Sequence, residues 1–368
     1  MANEWAGVVT ATAQKYTKGF SDQTIRDRFI LKALKNRGRV KFGETGYDFN
    51  WQMKYKEPAV ESVGSTATLD FSQGDFYKRA TVDLRGYAAT DALAEKNKLM
   101  NSGDLALINY YKQKIPDLIA SITQKMDDEF FIDGNAAGNE NRLHGIESFC
   151  GTGTTVVGDK IARPADTYAG LSTIPGNYGG SWSAALTTKP NADLATDWPD
   201  GSGSTEYDFN SPRIMNWSST AWTGTGTFVS TAERCLRQAT IWTTLTTGKE
   251  GKPDVYLLAG NLYYDYLNLQ GAKQQIFIPY KEGQDLGFGA SPQQEGVGIM
   301  EAYGVPTNTG YGLNFDKMKL CCMYPTLFKT EGPEYEMRSG SYLFAVRFFG
   351  NLIFESPKHF VKLKNVAA

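Results

Sequence analysis

Tyr47-Asp48-Phe49-Asn50-Trp51-Gln52-Met53-Lys54-Tyr55-Lys56 alternates apolar and polar side chains without interruption. A period of two puts Tyr47, Phe49, Trp51, Met53 and Tyr55 on one face of a strand and the polar residues on the other. Such a strand cannot stand alone in water, because its aromatic face must lie on something. At about 3.3 Å per residue a strand of this length reaches about 33 Å, long for one that serves only a compact core. A second copy of the chain is therefore the expected cover for Tyr47, Phe49, Trp51, Met53 and Tyr55.

Downstream, a turn-rich piece from Glu57-Pro58 to Gly64-Ser65 precedes a second alternating run with Ala67, Leu69 and Phe71 on one side. Gly74 interrupts it, and a third run from Tyr77 to Tyr87 carries Ala80, Val82 and Leu84 on one face. The three runs predict an elongated β-hairpin or meander. Upstream, a short helix is expected from Ser21, with Ile25, Phe29, Ile30 and Leu34 near one face and Gly38 as its stop. This arm is basic, with Lys15, Lys18, Arg26, Arg28, Lys32, Lys35, Arg37, Arg39 and Lys41 against Asp22 and Asp27. Nucleic acid, an acidic protein surface or solvent can each face such a segment.

The period then changes to three and four: Leu105, Ile108, Tyr111, Ile115, Leu118, Ile119, Ile122, Met126 and Phe130 form one helical stripe that Gly134 should end. A helix from Asp104 to Asp133 would measure about 45 Å. Pro116 lies inside it, so a bend, or a break near Lys114, is expected. Asp127, Asp128 and Glu129 have the wrong sign for a helix C-terminus. A solvated face or a cationic partner would offset them, and the basic arm of a neighbouring chain, with Arg37 and Arg39, is the candidate intersubunit partner.

Residues 151–227 are rich in Gly, Ser, Thr and Trp and read as a long exposed connection. A helix over Thr231 to Thr247, a buried strand over Asp254 to Ala259 and a helix over Asn261 to Leu269, capped by Asn261, suggest an α/β domain. Apolar strands follow over Met318 to Phe328 and Tyr342 to Phe349. Gly350-Asn351 has the chemistry of a two-residue turn leading into Leu352-Ile353-Phe354.

The chain has 368 residues, 41% hydrophobic, with a net charge of −2, enough for a real core. No opening apolar segment and no membrane-length run is present, so neither secretion nor a membrane is expected. Cys150, Cys235, Cys321 and Cys322 lack C-x-x-C spacing and read as buried thiols, and with His144 and His359 as the only histidines a zinc site is not expected. Gly248-Lys249-Glu250-Gly251-Lys252 lacks the spacing and the Ser/Thr of a P-loop, and the Gly-Thr-Gly pairs lack the third glycine of a dinucleotide fingerprint. No nucleophile elbow or zinc-protease motif occurs. The sequon Asn216-Trp217-Ser218 has no meaning without secretion. Paired carboxylates from distant segments beside the Trp-rich region leave one enzyme class open, a glycan-binding or glycan-cleaving protein.

Taken in order, the basic arm, extended hairpin, long helix with its proline, α/β domain and returning apolar strands resemble the major capsid protein of tailed bacteriophages, with the α+β Hong Kong 97-like fold. Asp133-Gly134-Asn135, Leu143-His144-Gly145-Ile146 and Pro253-Asp254-Val255-Tyr256-Leu257-Leu258 resemble that family in local wording. The resemblance implies an N-terminal arm (1–42), an E-loop hairpin (43–86), a P-domain with the spine helix (87–145), an A-domain (146–311) enlarged at 151–227, and returning P-domain strands (312–368). It further implies pentamers and hexamers closing into an icosahedral virion shell around double-stranded DNA, assembled in the host bacterial cytoplasm. Portal and scaffolding proteins are implied partners, a decoration protein is a candidate one, and neither cofactor nor enzymatic activity is expected. The chain departs from members that begin with a long scaffolding segment, and Lys54 and Lys56 read as a solvated face, not as crosslinking residues. An encapsulin-like compartment is similar to the same fold and is the alternative.

Overall fold

The computed structural model describes residues 29–54, 58, 60–65, 71, 73–74, 76–100, 104–150, 167–173, 210, 212–218, 226–272 and 292–365. Its helices are α1 (Phe29–Asn36), α2 (Glu95–Met100), α3 (Asp104–Glu129), α4 (Glu147–Cys150), α5 (Phe228–Thr247) and α6 (Gly260–Ala272). The first strands are β1 (Val40–Lys41), β2 (Asp48–Lys54), β3 (Tyr77–Asp83), β4 (Arg85–Ala94), β5 (Thr167–Tyr168), β6 (Leu171–Ser172) and β7 (Arg213–Asn216). The later ones are β8 (Val255–Leu258), β9 (Gln293–Gln294), β10 (Val297–Glu301), β11 (Thr309–Leu313), β12 (Met318–Cys322), β13 (Lys329–Glu336), β14 (Ser341–Phe354) and β15 (Val361–Lys364).

Two large sheets result. One has the order β1-β12-β14-β13, with β4 on the opposite edge of β14, and the other the order β7-β15-β11-β8-β10-β9. Period-two burial explains the second sheet. Val255 and Leu257 enter a core shared with α1, α3 and the first sheet, while Tyr256 and Leu258 enter a second core closed by α5 and α6. A strand buried on both faces reads as continuously apolar, as this one does.

Helix α1 buries Phe29, Ile30, Ala33 and Leu34, and Gly38 follows at φ 65°, a left-handed stop that glycine adopts without strain. Residues 21–28 of the expected helix lie outside the described residues. Helix α3 runs unbroken through Pro116. Its lower stripe is as anticipated: Ile122, Met126 and Phe130 are buried, and Ile115, Leu118 and Ile119 pack against them. The side chains of Leu105, Ile108 and Tyr111 lie outside the description. The helix ends at Glu129, short of Gly134, because Phe130 and Phe131 both turn into the core and Gly145 closes over the end. A Cβ on Gly145 would stand 2.4, 2.5 and 2.7 Å from the carbonyl oxygens of Ile132, Phe130 and Glu129.

Four expectations need correction. The run from Tyr77 to Tyr87 is two strands divided at Leu84: β3 pairs with β2, whereas β4 crosses to β14. The connection 151–227 contains β7, whose four residues are all buried beside β15, and its sequon Asn216 and Trp217 are buried too. Asn261 sits inside α6 and donates to Asn308 Oδ1 at 2.5 Å instead of capping the helix. Gly350-Asn351 makes no turn, since β14 continues for fourteen residues with Gly350 opposite Cys322 and Asn351 opposite Cys321. The second alternating run, residues 66–70, lies outside the described residues.

Glycine is required at position 350 by close approach, not by turning: a Cβ there would lie 2.2 Å from the Cys321 carbonyl oxygen. Gly350→Ala is expected to cost about 1–3 kcal/mol through overpacking, measured as a lower denaturation midpoint at unchanged m-value.

Candidate assembly surface

Strands β2 and β3 pair antiparallel from Asp48↔Asp83 to Lys54↔Tyr77. The register puts Phe49 opposite Val82 and Trp51 opposite Ala80, so the apolar residues of both strands share one face. That face lies largely on its own chain. Met53, Ala80 and Val82 belong to the main core, and Trp51 packs at its edge. The Trp51 indole N–H donates to the Glu355 carbonyl at 3.2 Å, and its ring stands 6.4 Å from that of Tyr168. The expectation that a single chain leaves this face open is thus corrected for Met53 and Trp51. The period of the strand announces a buried face, but the residues that cover it come from distant segments.

Of the other predicted contacts in the hairpin, Phe49 is half-buried, Tyr47 is 98% exposed at the foot of β2, and Tyr55 lies outside the described residues. Further out, Val60, Val63, Phe71 and Tyr77 are exposed. Apolar side chains are therefore concentrated on the hairpin and its continuation.

The predicted charged contacts find partners within the chain. Arg37 grips Asp254 with both guanidinium ends, at 2.9 and 3.2 Å, and Arg39 reaches Asp316 at 3.2 Å. These pairs fasten α1 to the start of β8 and to the loop before β12. Asp254 also accepts the Phe315 N–H at 2.8 Å. Glu129 is buried and accepts from Tyr87, with Lys125 at 2.8 Å and Arg142 at 3.5 Å. The cation that offsets this helix end comes from its own chain. Asp127 and Asp128 are half-buried on α3.

A second exposed region was not legible as a site. Strands β13 and β14 form a ribbon, with β4 on the other side and α3 across one face. Leu93, Phe344 and Val346 turn inward, whereas Ala88, Thr90 and Ala92 on β4 face outward. The open face holds a trough of about 550 Å³, lined by Thr90, Ala92, Glu331, Glu334, Leu343 and Arg347 among others. At the far end of the ribbon Leu99, Met100, Tyr335 and Met337 are exposed. Their sequence signal was a turn, Arg338-Ser339-Gly340, between two strands with little periodicity. Exposed apolar groups gathered in one place are surface that another molecule can cover.

The buried histidines and three of the buried cysteines are held uncharged. Burial lowers the pKa of both His144 and His359 to about 3, and raises the thiols of Cys235 and Cys322 to about 12 and Cys321 to about 11. His144 Nδ1 stands 3.2 Å from Ser148 Oγ, and His359 Nδ1 2.9 Å from Ser356 Oγ. The four cysteines are free and buried. Glu147 joins Lys362, at 2.5 Å, and the Tyr311 hydroxyl in a buried link between α4, β15 and β11. Among the described residues no group of three or more His, Cys, Asp or Glu is placed to hold a metal ion, and no helix is long and apolar enough to cross a membrane.

No family model matches the sequence, and no curated protein matches it either. Solved structures do. The chain is similar to one in the cyanophage A-1(L) capsid asymmetric unit, with 15% identity over 97% of each chain and a TM-score of 0.60. A chain of the capsid of the native GTA particle, computed with C5 symmetry, is 11% identical over 96% of this chain and 95% of that one, TM-score 0.54. The holo-SrpI encapsulin complex from Synechococcus elongatus is 10% identical over 96% and 93%, TM-score 0.51. The chain has the fold of tailed-phage major capsid proteins.

The histidines yield a prediction with a definite sign. An unfolded imidazole binds its proton near pH 6.5 but these two only near pH 3, so between those values the unfolded chain carries more protons. Their contribution to stability is complete above about pH 6.5 and declines as pH falls, by about 1.4 kcal/mol per pH unit for each imidazole. Chemical denaturation from pH 7 to 4 should show this slope, and His359→Gln should flatten it.

Proposed function

We propose that the chain is the major capsid protein of a tailed bacteriophage, assembling through pentamers and hexamers of itself into an icosahedral shell around double-stranded DNA. The observation that supports this most is the nearly full-length likeness of its fold to phage capsid chains. In this reading β2–β3 and the residues between them are the E-loop, α3 is the spine helix, and the β4-β14-β13 ribbon belongs to the P-domain. The six-stranded sheet with α5 and α6 is the A-domain. The function then resides in surfaces, with no catalytic site and no cofactor.

The physical logic supports the assignment. A hairpin whose inner face is held by its own body keeps a fixed root, while its exposed continuation and Tyr47 gain burial only from another molecule. Modest contacts repeated around a closed shell act together. Portal, scaffolding and possible decoration proteins follow as partners, the basic residues before α1 suit non-specific contact with packaged DNA, and the virion is the location. The encapsulin likeness favours a second reading, a compartment of the same build with protein cargo.

The test follows the observed register. Lys54 and Tyr77 face each other, so residues 55–76 can be replaced by Asn-Gly without disturbing β2 or β3. The shortened chain should melt cooperatively like the parent but form no shells by electron microscopy; normal shells would overturn the role of the hairpin. Shells from the parent chain loaded with one protein species would instead favour the compartment. Tyr47→Ser should leave folding unchanged within about 0.5 kcal/mol, as for other exposed positions, yet raise the concentration needed for assembly.

A further inference from the structure

One residue, Leu84, separates β3 of the hairpin from β4 of the main sheet, and the chain passes between two sheets across it. The angle at which the hairpin leaves the body is set there or at the other root. At the other root the N–H groups of Gly43 and Glu44 donate to the carbonyl oxygens of Tyr324 and Cys322, both at 3.2 Å, and beyond them Gly46 at φ 139° leads into β2. The β3–β4 side adds a buried set of ties. Asp83 O accepts from Asn351 Nδ2 at 2.8 Å, and the Tyr87 hydroxyl, donating to Glu129, accepts the Leu143 N–H at 2.8 Å.

Between them, Arg85 is 9% exposed, and its Nη1 stands 2.7, 3.0 and 2.6 Å from the carbonyl oxygens of Gly134, Asn139 and Arg142. Three carbonyls converging on one nitrogen form the kind of oxygen cage that loops build for a cation. Its space is reserved, because a Cβ on Gly134 would lie 2.9 Å from that nitrogen. The Nε atom of Arg85 is buried with no hydrogen-bond partner among the described residues.

We propose that Arg85 is a positioning residue, a built-in cation that locks loop 134–142 to the β3–β4 junction and thereby fixes the direction of the hairpin. The link to assembly rests on the capsid reading; the lock itself does not.

The test uses the unassembled full chain and amide hydrogen exchange. Arg85→Ala should raise exchange by about tenfold or more both in residues 134–142 and in β2–β3. Guanidinium, supplied far below denaturing concentration, should restore protection at both places by refilling the cage. A rise confined to 134–142, or no recovery with guanidinium, would overturn the proposal. If the alanine variant does not fold, Arg85→Lys keeps the charge but not the reach, and should loosen both segments to a lesser degree; a lysine hairpin as protected as the parent's would equally refute it. Shell formation is read separately. A loosened hairpin that still builds normal shells would remove the capsid role of the hairpin, whereas an unloosened hairpin removes the role of Arg85.

Discussion

A strand with neighbours on both sides must satisfy hydrogen bonds along two edges, and β14 meets that demand by exchanging partners part-way. On one edge it pairs with β13 and then with β12; on the other it pairs with β4 until Gly350 faces Arg85. Beyond that point the β4 ladder stops, yet the strand is deep in the core. The Asn351 side chain takes over, donating to Asp83 O and accepting the N–H groups of His144 and Leu352 at 3.1 and 2.8 Å. An unpaired buried backbone group costs about 1–3 kcal/mol, so this one amide stands in for the missing strand. The hairpin root, the segment after the long helix and strands β12 and β14 meet around it.

This junction explains which parts of the architecture were legible beforehand. Elements with a strong period and local punctuation were plain: α1 with Gly38, the lower stripe of α3, the alternation of β2, and the doubly buried β8. Gly350-Asn351 was misleading because glycine next to asparagine has two physical uses, a left-handed turn and a close backbone approach with a short amide beside it. Only the presence of β12 and β4 on either side distinguishes them, and neither is local to residue 350. Leu84 failed for the same reason, since alternation continues across a change of sheet. Glu129, Arg37 and Arg39 were readable as charges that needed partners; that the partners are Tyr87, Arg142, Asp254 and Asp316 depends on how distant segments fold together.

The aromatic strand has gained a division of labour. Its inner residues Trp51 and Met53 root the hairpin on its own body, and the surplus apolar surface lies at Tyr47 and beyond Lys54. Rooting matters energetically. A segment that is ordered before it meets a partner loses less conformational entropy on contact, so more of the buried area appears as affinity. A fixed root also converts the orientation of the junction into the orientation of everything further out.

The ribbon shows how association can be kept to side-chain contacts. Strand β13 is an outer strand with nearly every residue exposed, a ready template for unwanted strand pairing. Its register slips between Glu331 and Glu334, Pro333 lacks an N–H, and Glu334 and Glu336 place charge along the exposed strand. Each feature opposes a continuous ladder with another chain. Exposed Tyr335 lies on this strand, and exposed Leu99, Met100 and Met337 stand beyond it. A copy that approaches this end can bury apolar side chains but cannot extend the sheet, which favours a defined contact over open-ended strand addition.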